Sequence, residues 1–301
     1  AFVIDNATKE RICAQDPKAA DRLKPFLEGK DLKRWRAEPR GLWLIYIPKN
    51  RIEIDDYPAS RDWLLPFKER WGNRAAKQEW FELQQPQEAY VPGFEKTKIT
   101  YRDIAAENPF HLDESGSYLE TTAFALPSDD YAIAGLLNST TMWFVFRSLT
   151  PLASGGYFRM KAQYVGQLPI PEMPESSRQA LASQAVMAQK SAQERLKLQV
   201  ALTRRIPDLC PPERDPKLTN KLKEWWTLPD FAAFRAEVKK VFKADIPLTD
   251  RSDWEDWINR DRAEIARLTA EIAQAEAQID SIVYDLFDLT EDEIALLESV
   301  G

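Results

Sequence analysis

Apolar positions divide the chain into a strand-bearing first half and a helical second half. Gly41 to Pro48 (GLWLIYIP) is a continuous apolar run closed by proline, the pattern of a buried strand. Lys98-Ile99-Thr100-Tyr101 and Thr121 to Leu126 (TTAFAL) read as two more. Between them, Asn108 to Tyr118 holds the turn signal Glu114-Ser115-Gly116-Ser117, so a hairpin is expected there. Ser128 stands where it would cap a helix over Asp129 to Ser148, with acid in the first turn. Within that helix Ile133, Leu136, Leu137, Thr140, Trp143 and Phe144 follow helical spacing and are expected to face a core.

From Ser176 to Arg205 the chain is rich in Ala, Gln, Lys, Arg and Glu and predicts one long helix. Pro207, Pro211, Pro212 and Pro216 then break it. A short helical region follows with Trp225, Trp226, Phe231, Phe234 and Val238. In the last long helix Ile258, Ile265, Ile272 and Ile279 recur every seven residues, with Leu268, Ala275 and Ile282 at the companion positions. That is a heptad seam. Its natural partner is the 176–205 helix, antiparallel; pairing with another chain competes. The fold class expected is an α+β domain over 1–172 followed by an all-α, coiled-coil-like helical domain over 173–301.

A length of 301 residues suits one large or two ordinary domains, and 44% hydrophobic with 30% charged residues gives ample core. No apolar run is long enough to cross a bilayer and no secretory pattern opens the chain. Cys13 and Cys210 are far apart without metal-ligand spacing, so a reducing cytoplasm is expected. The chain opens on Ala1, which reads as an excised segment of a longer polypeptide. His111 is the only histidine, which removes zinc-deaminase, HNH-nuclease and Ser-His-Asp chemistry, all of which need imidazole. The net charge of −7 argues against a sequence-blind nucleic-acid binder. Residues 1–175, however, carry 23 basic and 25 acidic side chains, so most of the excess acid lies in the helical half.

The passage with most chemistry is Gly155-Gly156-Tyr157-Phe158-Arg159-Met160-Lys161-Ala162-Gln163-Tyr164, which exits through Leu168-Pro169-Ile170-Pro171. Two glycines allow close approach of a backbone. Arg159, Lys161 and Gln163 alternate, which on a strand puts them on one face. Gln and Arg make bidentate contacts to adenine and guanine, so base contact in duplex DNA is the functional reading. A tight turn into a core strand is the plain one.

Lys30, Lys33, Arg34 and Arg36 surround Trp35 and suit phosphate contact, with a solvated loop around one buried indole as the alternative. Lys96, Lys98 and Arg102 flank a strand and would line the same groove unless they are solvated strand ends. The rings of Trp80 to Pro86 are read as core packing. No [Asn/Asp/Ser]-Pro-Pro-aromatic loop of the amino-methyltransferases is present, and Asn108-Pro109-Phe110 reads as a turn. Asp208, Asp215 and Lys217 have the residue types of a PD…DxK nuclease but lie in a proline-broken linker without strands to place them. No catalytic or metal-ligating set is assigned.

Taken in order, certain passages resemble the TaqI-like C-terminal specificity domain of enzymes that fuse methyltransferase and target recognition in one polypeptide. They are Leu27 to Trp35 with Trp43-Leu44-Ile45-Tyr46 after it, Trp80 to Pro86, Phe94 to Ile99, Leu136-Leu137-Asn138-Ser139, and Gly155 to Pro171. The likeness covers roughly residues 1–171, and the helical remainder, with Ile279-Asp280-Ser281-Ile282-Val283-Tyr284, looks like the spacer that follows such domains. The resemblance implies a target-recognition domain that binds double-stranded DNA beside an N-terminal methyltransferase domain of the same parent. That parent would methylate adenine N6 using S-adenosylmethionine, in restriction–modification or BREX-type phage defence. A phage or defence protein is a further expected kind of partner. The acidic total departs from the family picture. A scaffold that recruits proteins through the heptad helix is the competing function.

Overall fold

The structure, a computed structural model, describes residues 1–71 and 78–300 and divides into two units, residues 1–174 with 283–301 and residues 175–282. In the first unit β1 (Val3–Asp5) runs into α1 (Asn6–Gln15), capped by Asp5, whose side chain accepts from the Thr8 amide at 2.8 Å. Next come β2 (Leu23–Leu27), the short pair β3 (Leu32–Lys33) and β4 (Arg36–Ala37), and β5 (Leu42–Ile45). α2 (Pro58–Leu64) and α3 (Val91–Phe94) precede β6 (Lys98–Arg102), β7 (Ile104–Ala105), β8 (His111–Asp113), β9 (Tyr118–Leu119) and β10 (Ala123–Leu126). α4 (Tyr131–Leu137), α5 (Thr140–Leu149), β11 (Phe158–Arg159) and α6 (Ala162–Val165) follow.

One sheet has the order β1-β5-β2-β9, with β2 and β9 parallel and the other pairs antiparallel. The apolar run at 41–48 is its second strand, and Ile45 and Ile47 pack with Ile4, Ile12 and Leu23. A second sheet, β10-β6-β8, is antiparallel throughout. β7 and β11 form a separate ribbon with Phe158 opposite Ala105 and Arg159 opposite Ile104.

Two local expectations are corrected. The hairpin expected in 108–118 is divided between sheets, β8 pairing with β6 while β9 pairs with β2. The Asp113 carboxylate accepts from the Ser115 and Ser117 amides at 2.9 and 3.1 Å, which turns the chain away after β8. The single helix expected over 129–148 is two helices. Asn138 at the break exchanges hydrogen bonds with the backbone of Phe110, accepting at 3.2 Å and donating at 2.9 Å. Ser139 then caps α5 through the Met142 amide, and Asp130 rather than Ser128 caps α4 through that of Ala132. Leu136, Leu137 and Trp143 are buried as expected, whereas Ile133, Thr140 and Phe144 are half-buried.

The second unit contains α7 (Glu175–Thr203), α8 (Asn220–Lys223), α9 (Phe231–Phe242) and most of α10 (Arg251–Leu286). Ile258, Ile265, Leu268, Ile272, Ala275 and Ile279 are buried, and Ile282 is half-buried. α7 and α10 run antiparallel: the Ser191 hydroxyl donates to Glu271 at 2.9 Å and the Arg195 guanidinium donates to the Thr269 hydroxyl at 3.0 Å. Trp225, Phe234, Val238, Phe242 and Trp254 close the core at one end of this pair. Asp208 lies in a single turn of 3-10 helix and Asp215 and Lys217 in irregular chain, so no strand carries the PD…DxK residue types. The helical domain expected to run to 301 differs at its end, since residues 283–301 group with the first unit, where α11 (Glu291–Val300) packs on α5. Among the described residues, no helix is long and apolar enough to cross a membrane.

Candidate nucleic-acid interface

The residue that shapes the site is Gly29. Its amide donates to the Thr122 hydroxyl at 3.0 Å, and a Cβ built on it would stand 2.2 Å from the Thr122 carbonyl oxygen. Only glycine allows the turn before β3 to press on the turn before β10 this closely. The two turns and the end of β6 enclose an open cleft of about 520 Å³ between Lys30, Arg102, Ile104 and Glu120, with Asp103 against it.

Asp103 is 8% exposed and fixed through its backbone from both sides. Its amide donates to the Thr122 carbonyl at 2.8 Å, and its carbonyl accepts from the Met160 amide at 2.7 Å. Its carboxylate faces Lys161 Nζ at 3.0 Å and Arg159 Nη1 at 3.5 Å. The Lys161 ammonium also lies 5.4 Å from the centre of the Phe124 ring. Burial, and secondarily the Asp103 charge, push the Tyr101 hydroxyl up to about 12. Burial also pushes the Glu120 carboxyl up, but hydrogen bonds from Thr121 and Thr122 outweigh it and leave the group below its ordinary value.

Gly155 and Gly156 have φ of 74° and 80°, the left-handed region that glycine enters without steric cost. The turn they make is closed by the Ala153 amide donating to the Tyr157 carbonyl at 2.7 Å, and it leaves Leu152 and Tyr157 exposed beside the ribbon. The expectation that Arg159, Lys161 and Gln163 share one strand face is corrected. Only Phe158 and Arg159 form the strand; Lys161 stands at the N-cap of α6 and Gln163 lies exposed within it. Arg159 and Lys161 meet through Asp103, not through strand alternation.

The remaining cations separate. Lys30 is exposed at the cleft and pairs with Glu28 at 2.8 Å. Lys33 is half-buried on β3. Arg34 donates to the Asn138 carbonyl at 2.7 Å and lies 5.9 Å from the Trp35 ring, itself buried with a φ of 65°. Arg36 is held by Glu38 at 2.6 Å. The cluster is therefore not one phosphate-binding loop: Arg34 ties β3 to the Asn138 break and Arg36 closes a local pair. Lys96 lines a different hollow with Glu95 and Asp129.

Lys98 does not line a groove. Its side chain is 1% exposed, its ammonium pairs with Asp113 at 2.6 Å, and it donates to the Phe94 carbonyl at 2.8 Å. A lysine so enclosed is a core residue. Next to it, burial pushes the His111 imidazole down to about 4, with the Asp113 carboxylate opposing and the Lys98 ammonium adding to the shift. The Trp80–Pro86 passage is likewise structural: Phe81 is buried, and Glu82 accepts from the Asn50 and Glu79 amides at 2.5 and 2.9 Å. Residue chemistry alone does not single out Asp103, Glu28, Glu120 or Thr122, because an acid or a threonine carries no DNA-binding signal of its own. Among the described residues, no group of three or more His, Cys, Asp or Glu side chains is arranged to hold a metal ion.

Residues 24–170 match the TaqI-like C-terminal specificity domain, and residues 174–283 match a domain of unknown function, DUF8810. No curated protein matches the chain. Among solved structures, the Type IIL restriction–modification enzyme MmeI in complex with DNA shares the fold, with a TM-score of 0.55 and 14% identity over 99% of this chain. The chain spans 33% of the length of that enzyme. The α+β part followed by long helices is thus an arrangement already seen in a solved protein.

Proposed function

We propose that the first unit is the DNA target-recognition module of a restriction–modification enzyme and binds duplex DNA across the cleft beside Asp103. The observation that carries this is an open cleft lined by Lys30 and Arg102, with Arg159 and Lys161 beside the Asp103 that borders it and the exposed Tyr157 following the Gly155-Gly156 turn. Cations at such an edge neutralise phosphates, and a protruding glycine turn lets backbone and side chains enter a groove. The match to a specificity domain over residues 24–170 supports the same reading.

The finer reading is that the module presents its site to an adenine-N6 methyltransferase domain of a longer parent polypeptide. That domain would hold S-adenosylmethionine, in a cytoplasmic restriction or BREX-type phage-defence system whose other proteins, or a phage inhibitor, would be partners. The part-length coverage of the DNA-bound enzyme is what supports a longer parent.

Selection of bound duplexes from a random-sequence pool, at two salt concentrations, tests the module reading. A short enriched word that survives the higher salt is the expected result. No binding at either salt would overturn it and return weight to a protein-recruiting scaffold.

A further inference from the structure

The cations at the cleft do not stand free. Arg159 and Lys161 both lie within ion-pair distance of a carboxylate whose backbone the fold fixes through two hydrogen bonds, one to Thr122 and one from Met160. The geometry points to Asp103 as a specificity-determining residue that positions Arg159 and Lys161 to read a guanine edge and withholds their charge from phosphates. This rests on the proposed function above and identifies the base chemistry taken by that site.

A loose cation binds the nearest phosphate, since phosphate oxygens line both sides of every groove and carry the charge. A guanidinium can meet guanine O6 and N7 together only when its fork is pre-aimed, and an ammonium in the same place finds the same two acceptors. Asp103 supplies the aim. It is too enclosed for its carboxylate to lead the contact, while Arg159 and Lys161 keep side-chain exposures of 55% and 40%. The backbone on either side is anchored, because Asp103 directly follows β6 and bonds to Thr122 just before β10, and Met160 directly follows β11. Neutralising one charge against the acid also reduces the attraction to DNA of any sequence, which is the cost a selective reader accepts. Within the same cleft Lys30 likewise pairs with an acid, Glu28, at 2.8 Å.

The test compares the unsubstituted chain with Asp103→Asn, Arg159→Ala and Lys161→Ala in duplex selection and in titration of a random duplex. Asp103→Asn is expected to raise affinity for the random duplex severalfold and steepen its salt dependence, since one negative charge is gone. In the same variant, discrimination at one G·C pair of the enriched word is expected to fall about tenfold or more. Arg159→Ala must lose the same base pair; its side chain is exposed, so an unchanged melting curve separates that loss from a folding defect. A residue with only a structural role would weaken random and specific binding together. Asp103→Asn retaining the full word overturns the inference while leaving DNA recognition intact. Loss of different base pairs in Asp103→Asn and Arg159→Ala overturns it as well. Random duplex bound without any enriched word by the unsubstituted chain overturns the guanine assignment, and no binding at all overturns the underlying function.

Discussion

The end of β6 and its beginning use the same two residue types for opposite purposes. At the beginning, Lys98 and Asp113 meet at 2.6 Å with side chains 1% and 3% exposed, surrounded by hydrogen bonds from Ser115 and Ser117. At the other end, Asp103 meets Lys161 at 3.0 Å, but the lysine side chain is 40% exposed and Arg159 shares the same acid. The first pair can only hold the sheet together. The second leaves donors facing solvent, where they can change partners. Residue type therefore does not separate an ion pair locked in the core from one whose cation can exchange partners with solvent.

The largest expected effect comes from breaking the buried pair. Lys98→Met leaves the Asp113 carboxylate buried without its counter-ion and is expected to cost about 3–5 kcal/mol, read by denaturant unfolding. The corresponding change at the other end, Lys161→Met, is expected to stay within about 0.5 kcal/mol, as for most exposed substitutions. Equal costs would erase the distinction between the two ends of β6.

Acid sharpens the same contrast. His111 titrates near 6.5 when unfolded but is pushed by burial down to about 4 in the fold, so between those values the unfolded chain binds more protons. Stability is therefore full above 6.5 and is lost as pH falls toward 4. Asp113 acts in the same direction at lower pH: burial pushes its carboxyl up, but Lys98 and Ser115 more than offset this and hold it below its ordinary value. A drop of a few kcal/mol over that window is expected from unfolding curves at several pH values. His111→Gln should flatten the part above pH 4, and an unchanged slope would assign the loss to other groups.

Much of this is legible in the sequence, and the rest is not for identifiable reasons. The Ile258–Ile279 seam reports burial directly, because one stretch of chain carries the whole pattern, whereas the run at 41–48 marks its strand but Leu42, Trp43 and Leu44 are only half-buried. The α4–α5 break is not legible. Ile133 to Phe144 keeps helical spacing, and what interrupts it is the exchange between Asn138 and Phe110, which no local pattern encodes. Lys98 opens a strand where a lysine ordinarily reaches solvent, and only the return of Asp113 beside it encloses it. The site is half legible: Arg159 and Lys161 stand out by chemistry, while Asp103, which joins them, does not, because an acid read alone argues against DNA. Arg34 and Arg36 err the other way, reading as phosphate ligands although Asn138 and Glu38 hold them.

At the exposed end, Arg159→Ala with Lys161→Ala is expected to weaken binding to the enriched word about tenfold, about 1.4 kcal/mol, while affinity for a random duplex and the salt slope change little. Melting should be nearly unchanged. A large fall in melting temperature would place these cations with Lys98 among the structural ones.

The smallest expected effect is at Lys96, which is exposed like Lys161 but lines a separate hollow with Glu95 and Asp129. Exposure alone would make it as good a DNA ligand as any. If convergence on the Asp103 cleft is what matters, Lys96→Ala should change duplex affinity by less than about twofold and leave the enriched word intact. Were Lys96 instead a phosphate ligand, its removal would lower affinity uniformly across sequences and reduce the salt slope by about one. That result would extend the DNA-binding face around the second sheet and make exposure, not position, the property that separates the two kinds of cation. Titration of one duplex across a salt series decides between them, since it measures how many phosphates each side chain neutralises and is blind to which bases are read.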